Sequence, residues 1–140
     1  MTLIEEKRDL FSVQECYFLA HCIASDLRMG AGIAVPMNAK FGLRAKLRAS
    51  GQSLDHPTCI LTGRVFNLIT KRVSQGKPTL KSLENALWKM KVIVKAEGVT
   101  KIAMPKIGCG LDRLHWPEVR AVLENVFGNM DVEILVCVWK

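Results

Sequence analysis

The sequence predicts a three-layer α/β domain built around a mixed, largely parallel sheet. Three observations predict it. Five apolar runs of strand length show little polar alternation, the pattern of strands covered on both faces. Two amphipathic helical patterns separate the late runs, giving the order strand, helix, strand, helix, strand, which right-handed crossovers turn into parallel pairs. The length of 140 residues, with no repeat, linker or low-complexity stretch, suits one domain over 1–140.

In chain order, "YFLAHCI" (17–23) is the first strand. A helix is expected within 30–49, interrupted near Gly42. "TCILTG" (58–63) and "RVFNLIT" (64–70) meet at Gly63 and read as a hairpin. Pro78-Thr79 opens a long helix in which Leu80, Leu83, Leu87, Met90 and Val94 recur at steps of three and four, and Gly98 caps it. "KIAMP" (101–105) is the next strand. A helix follows with Pro117 in its first turn, a stripe of Val119, Val122, Leu123, Val126 and Phe127, and a stop at Gly128-Asn129. "VEILVCVW" (132–139) is the last strand.

Composition excludes several classes. Hydrophobic residues are 49% and charged residues 24% of the chain, an ordinary globular balance. No apolar run approaches the roughly 20 residues that a membrane helix needs, and the charged N-terminus "MTLIEEKRDLF" has no apolar signal core. The five cysteines form no C-x-x-C pair, which argues against a metal site or a disulfide framework and for reduced thiols in the nucleus, the cytoplasm or both. The net charge of +7 favours an anionic partner, such as a phosphorylated metabolite, a nucleic acid or an acidic protein surface.

Two glycine-rich loops narrow the ligand. Met29-Gly30-Ala31-Gly32 follows the first strand and precedes a helix; Ile107-Gly108-Cys109-Gly110-Leu111-Asp112 follows "KIAMP" and is read as leading straight into the next helix. Ligands of open α/β sheets gather at such strand ends, where backbone N–H groups and helix N-termini receive phosphate. A tight turn without a ligand accounts for either loop alone. Val35 breaks a G-x-G-x-x-G fingerprint and no G-K-[ST] follows, so neither common nucleotide motif is present. The residues alone reach a phosphate-bearing ligand held by backbone and go no further.

The segments "RDLF" (8–11), "LAHCI" (19–23), "DLRMGAGIAV" (26–35), "KFG" (40–42), "LITK" (68–71), "KPT" (77–79) and "MPKIGCGLDRLHW" (104–116) together resemble a macrodomain, the ADP-ribose-binding module. Within that family the chain looks most like the branch of terminal ADP-ribose protein glycohydrolases and O-acyl-ADP-ribose deacylases. The resemblance covers nearly the whole chain and implies a hydrolase that uses no cofactor and no metal, acts as a monomer, and takes ADP-ribose and ADP-ribosylated proteins as partners. ADP-ribosylated nucleic acid is a further partner that the charge permits; a membrane is not one.

Site roles follow from the same resemblance. Asp9 would take the adenine amino group, with Leu10 and Phe11 beside it; a surface-turn aspartate is the alternative. His21 would lie in the strand below the distal ribose, or else be a satisfied core histidine. Met29, Gly30, Ala31 and Gly32 would line the ribose side, and Ile107, Gly108, Cys109, Gly110 and Leu111 would wrap the diphosphate, Cys109 serving through its size and backbone N–H. Trp139 would approach the adenosine or cover the sheet edge.

The chemistry implied rests on Lys71 and Asp112. The lysine of "LITK" resembles a nucleophile that attacks C1″ of the distal ribose and displaces the carboxylate of a modified glutamate or aspartate. Free lysine titrates near 10.4, so such a site must favour the uncharged amine, by desolvation or through cations such as Arg72. Asp112 would resolve the lysyl–sugar adduct and orient the ribose hydroxyls. A carboxylate beside the amine would hold it charged, so the two are expected to meet at the sugar without a tight ion pair beforehand. Alternatives are a solvated strand-end lysine and an acid stabilised by the helix dipole.

The chain departs from the pattern at two positions. Ala24 stands where relatives carry a substrate-contacting serine, with Ser25 next to it, and Arg8 stands where a glycine commonly precedes the aspartate. Retention of Lys71 and Asp112 favours a hydrolase; Ala24 leans towards a reader that binds ADP-ribose without turnover.

Overall fold

The computed structural model describes residues 1–138. A six-stranded sheet runs in the order β1-β6-β5-β2-β4-β3, where β1 is Thr2–Lys7, β2 Phe18–Ala24, β3 Thr58–Thr62, β4 Val65–Lys71, β5 Lys101–Met104 and β6 Glu133–Val138. Every neighbouring pair is parallel except β3 with β4. These two form the expected hairpin, closed by Gly63-Arg64 with Gly63 left-handed.

Helices cover both faces. Helix α3 (Leu80–Glu97) presents Leu83, Ala86, Leu87, Met90 and Val94, and α4 (Trp116–Phe127) presents Val119, Leu123, Val126 and Phe127, to a core shared with Phe66, Leu68, Ile102 and Ile134. On the other face α1 (Ala34–Phe41) and α2 (Leu43–Ala49) bury Met37, Leu43 and Leu47 against Leu19, Ile23, Val65 and Ile69. Side chains of successive strand residues go to opposite layers, which is why β4 reads as one continuous apolar run.

The expected punctuation is present. Thr79 caps α3 in a capping box with Ser82, and Gly98 closes it in the left-handed region. Gly42, also left-handed, divides the 30–49 segment into α1 and α2. Two features differ from the reading of the sequence. Thr2–Lys7 is a strand, an exposed edge whose charged outer residues mask its pattern. Helix α4 begins only at Trp116, after a looped segment in which Arg113 is left-handed (φ 62°) and Leu114 N–H donates to Gly108 O. The second glycine loop therefore does not run straight into a helix, and Asp112 is not a first-turn helix acid.

Candidate active site

The carboxyl ends of β2, β4 and β5 lie side by side, and the loops that follow them enclose a cleft of about 530 Å3. Its walls are Cys22 to Ala24 and Arg28 to Ala34 from the β2 side, Lys71, Ser74, Gln75 and Lys77 from the β4 side, and Pro105 to Gly108 with Gly110, Leu111 and Asp112 from the β5 side. The two glycine loops thus face each other across one cavity. An added Cβ on Gly32 would stand 3.4 Å from Leu111 Cδ1, so the loops meet at the rim. The first turn of α1 opens into the cleft, which favours an anion there.

Lys71 is the last residue of β4. The β2–β4 register slips between Ile23 and Ala24, so that Ala24 stands opposite Lys71 and Thr70 is the extra residue. Such a bulge re-aims the side chain beside it, and both Ala24 and Lys71 line the cleft. Ser25 N–H donates to Lys71 O at 2.9 Å, and the Ser25 hydroxyl also turns to that carbonyl, so Ser25 does not replace the missing cleft hydroxyl at Ala24.

The Lys71 ammonium donates to Asp112 Oδ1 at 2.6 Å, with the two side chains 14% and 13% exposed. This corrects the expectation of no tight pair in the ligand-free chain. With both side chains largely shielded from solvent, each charge takes the other as its partner. Arg72 is exposed and stands outside the cleft wall. Lys77 Nζ donates to Leu111 O at 2.6 Å and fixes the backbone next to Asp112. Arg28, Lys71, Lys77 and Lys106 make the wall strongly cationic, and Asp112 is its one acid among the described residues.

Gly108 requires its residue type: φ is +73°, and a Cβ would come within 2.9 Å of Leu114 Cδ1. Burial pushes the Cys22 thiol up, with the Asp112 charge adding to the effect, so Cys22 is a neutral wall group. Cys109 does not line the cleft. Its N–H donates to Lys106 O within a turn, so that N–H is not free for a diphosphate.

Other expected binding residues lie elsewhere. His21 is fully buried, with Nε2 2.8 Å from Asn67 Oδ1, and it is a core group, not a cleft wall. Burial pushes its pKa down to about 4 against the opposing Asn67 hydrogen bond. Asp9 Oδ1 accepts from Phe11 N–H and caps a single helical turn, Leu10 is in the core, and Phe11 lies under Lys40; none of the three lines the cleft. Trp139 lies outside the described residues. Asp26, Ser74, Lys77 and Arg28 were not singled out by sequence reasoning, since isolated polar residues in loops carry no spacing signal. Among the described residues no cluster of histidine, cysteine or carboxylate side chains could hold a metal ion.

No family model matches the chain. Individual proteins do. It is 44% identical over 132 residues to the ADP-ribose glycohydrolase OARD1 of Homo sapiens, spanning 93% of this chain and 87% of that protein. Identity to OARD1 of Bos taurus is 43% over the same shares. Among solved structures, the macrodomain of Thermus aquaticus DarG superposes with a TM-score of 0.82 at 21% identity, over 99% of this chain and 98% of the other. Thermosipho africanus DarTG in complex with ADP-ribose superposes with a TM-score of 0.82 at 18% identity, over 98% of this chain and 41% of the other. At those identities the solved structures establish the fold alone, and the identity to OARD1 establishes the kinship: with a macrodomain fold and Lys71 and Asp112 meeting in its cleft, the chain belongs to the OARD1 family of ADP-ribose glycohydrolases.

Proposed function

We propose that the chain releases ADP-ribose from ester-linked glutamate and aspartate on proteins, with Lys71 as nucleophile and Asp112 as acid/base. The observation that carries this reading is the Lys71–Asp112 contact of 2.6 Å in a cleft walled by two glycine loops. The cationic wall suits a diphosphate, and the glycine loops let backbone approach it. In this reading the distal ribose brings its hydroxyls to Asp112 and parts the ion pair. The freed Lys71 loses a proton to water, and its lone pair attacks C1″. The C1″–O bond breaks and its electrons leave with the substrate carboxylate. Asp112 then takes a proton from a water that attacks C1″; the C–N bond breaks, the amine departs neutral, and Asp112 returns the proton to solvent. Lys71 then recovers its proton from solvent and pairs with Asp112 again, so the balance over the cycle is ester plus water to carboxylate, ADP-ribose and one proton. Deacylation of O-acyl-ADP-ribose would draw on the same cleft.

A non-catalytic ADP-ribose reader is the second reading, favoured by the apolar Ala24 in the wall. Incubation with glutamate-linked and serine-linked ADP-ribosylated proteins separates the two. The hydrolase reading expects loss of the glutamate-linked label and retention of the serine-linked one. Loss of neither, with ADP-ribose still bound in calorimetry, would favour the reader.

A further inference from the structure

The loop 26–29 carries two left-handed residues that are not glycine, Leu27 at φ 56° and Met29 at φ 48°. Such backbone is costly for an L-residue and persists only where its surroundings hold it. Both side chains are buried, and Met29 leads directly into Gly30–Gly32 of the cleft wall. The holding groups are visible. Arg44, at the start of α2, donates from Nε to Leu27 O at 2.7 Å and from Nη2 to Arg28 O. Its own N–H is received by Asn38 Oδ1 at 2.9 Å, and the left-handed Gly42 makes the α1–α2 corner that aims it at the loop. From the other side, Asp26 accepts from Ser74 N–H at 2.7 Å, from Ser74 Oγ at 2.8 Å and from Arg28 N–H at 3.1 Å. Ser74 is three residues beyond Lys71, so Asp26 joins this loop to the segment that follows the lysine.

We propose that Arg44 is a positioning residue for the ADP-ribose cleft: its guanidinium holds two successive carbonyls of a strained loop, and Asp26 couples that loop to the Lys71 strand. Without the clamp the left-handed turns relax and Met29 to Gly32 leave the cleft wall. The loss falls on ligand capture, since Lys71 stands at the end of β4 and Asp112 on the loop after β5. The claim rests on the proposed ADP-ribose chemistry only for its functional readout; the loop readout is independent of it.

The test compares wild type, Arg44→Ala and Arg44→Lys of the full chain. Amide hydrogen exchange without ligand is expected to rise in Arg44→Ala across 25–33 while α3 and α4 keep their protection. ADP-ribose affinity is expected to fall about tenfold or more, as the loss of charge-assisted bonds implies, with KM rising and kcat changing little. Arg44→Lys, keeping one donor at a time, is expected to fall between. Unchanged exchange at 25–33 overturns the proposal, as does a uniform rise over the whole chain, which would mark a merely structural arginine. Exchange that rises locally while ADP-ribose binds equally well overturns the positioning role and keeps only the loop clamp. If wild type itself binds no ADP-ribose, the proposed function fails, and the exchange result still decides whether Arg44 holds the loop.

Discussion

Lys71 and Asp112, 41 residues apart in sequence, meet at 2.6 Å where the loops after β4 and β5 converge. The contact makes the ligand-free cleft a closed charge pair, and any chemistry by the lysine amine must begin by opening it. The proposed ribose hydroxyls are suited to that, because they can satisfy Asp112 while occupying the same space.

Ala24 stands opposite Lys71 across the bulge and lines the cleft. Ala24→Ser restores a hydroxyl there. A new hydrogen bond to substrate is worth about 0.5–1.5 kcal/mol, so kcat/KM for glutamate-linked substrate is expected to rise about two- to tenfold. Steady-state kinetics of the two proteins checks this.

Gly108→Ala forces a side chain into a left-handed position against Leu114. The backbone penalty alone is about 1–2 kcal/mol. Denaturant titration is expected to show a loss of at least that size, and calorimetry a weaker ADP-ribose interaction, because the loop carrying Asp112 shifts. Gly110→Ala, whose added Cβ meets nothing within 4 Å, serves as the milder control.

His21 gives a pH dependence. Its folded pKa is pushed down to about 4, whereas the unfolded chain titrates near 6.5. Between those values the unfolded state binds the proton and the folded state does not. Stability therefore falls as pH drops through about 6.5 towards about 4, and is fully present above that window. The shift corresponds to about 3 kcal/mol over the interval. Denaturation curves at several pH values are expected to show this slope in wild type and a flatter one in His21→Gln, which stays neutral while keeping a polar group near Asn67.

Much of the fold was legible because its signals are local. The apolar steps of α3, its Thr79 cap and Gly98 are all within one helix, and Gly63 lies inside its hairpin. Strand β1 was not legible, since an exposed parallel edge needs only Leu3 to face the core and leaves Glu5, Glu6 and Lys7 free to be charged. Pro117 marks the first turn of α4, as read, but the loop between Asp112 and that turn is not announced, because Arg113 turns left-handed without a glycine. In the site, the glycine loops are legible from their place at strand ends, and Lys71 and Asp112 through the family resemblance. Arg44 and Asp26 were not, as their partners are backbone or hydroxyl groups 16 to 48 residues away that no spacing marks. His21 was drawn towards the sugar by its place in "LAHCI", yet its register opposite Asn67 gave it a partner inside the sheet.

The central claim is that the Lys71 amine bonds to the sugar and that Asp112 clears the bond. Its most direct test is intact mass under denaturing conditions for Asp112→Ala after incubation with glutamate-linked ADP-ribosylated protein. The account predicts one added ADP-ribose moiety mapped to Lys71, and none in the double variant with Lys71→Ala. An Asp112→Ala protein without added mass, or a Lys71→Ala protein that still releases ADP-ribose at the wild-type rate, would contradict it.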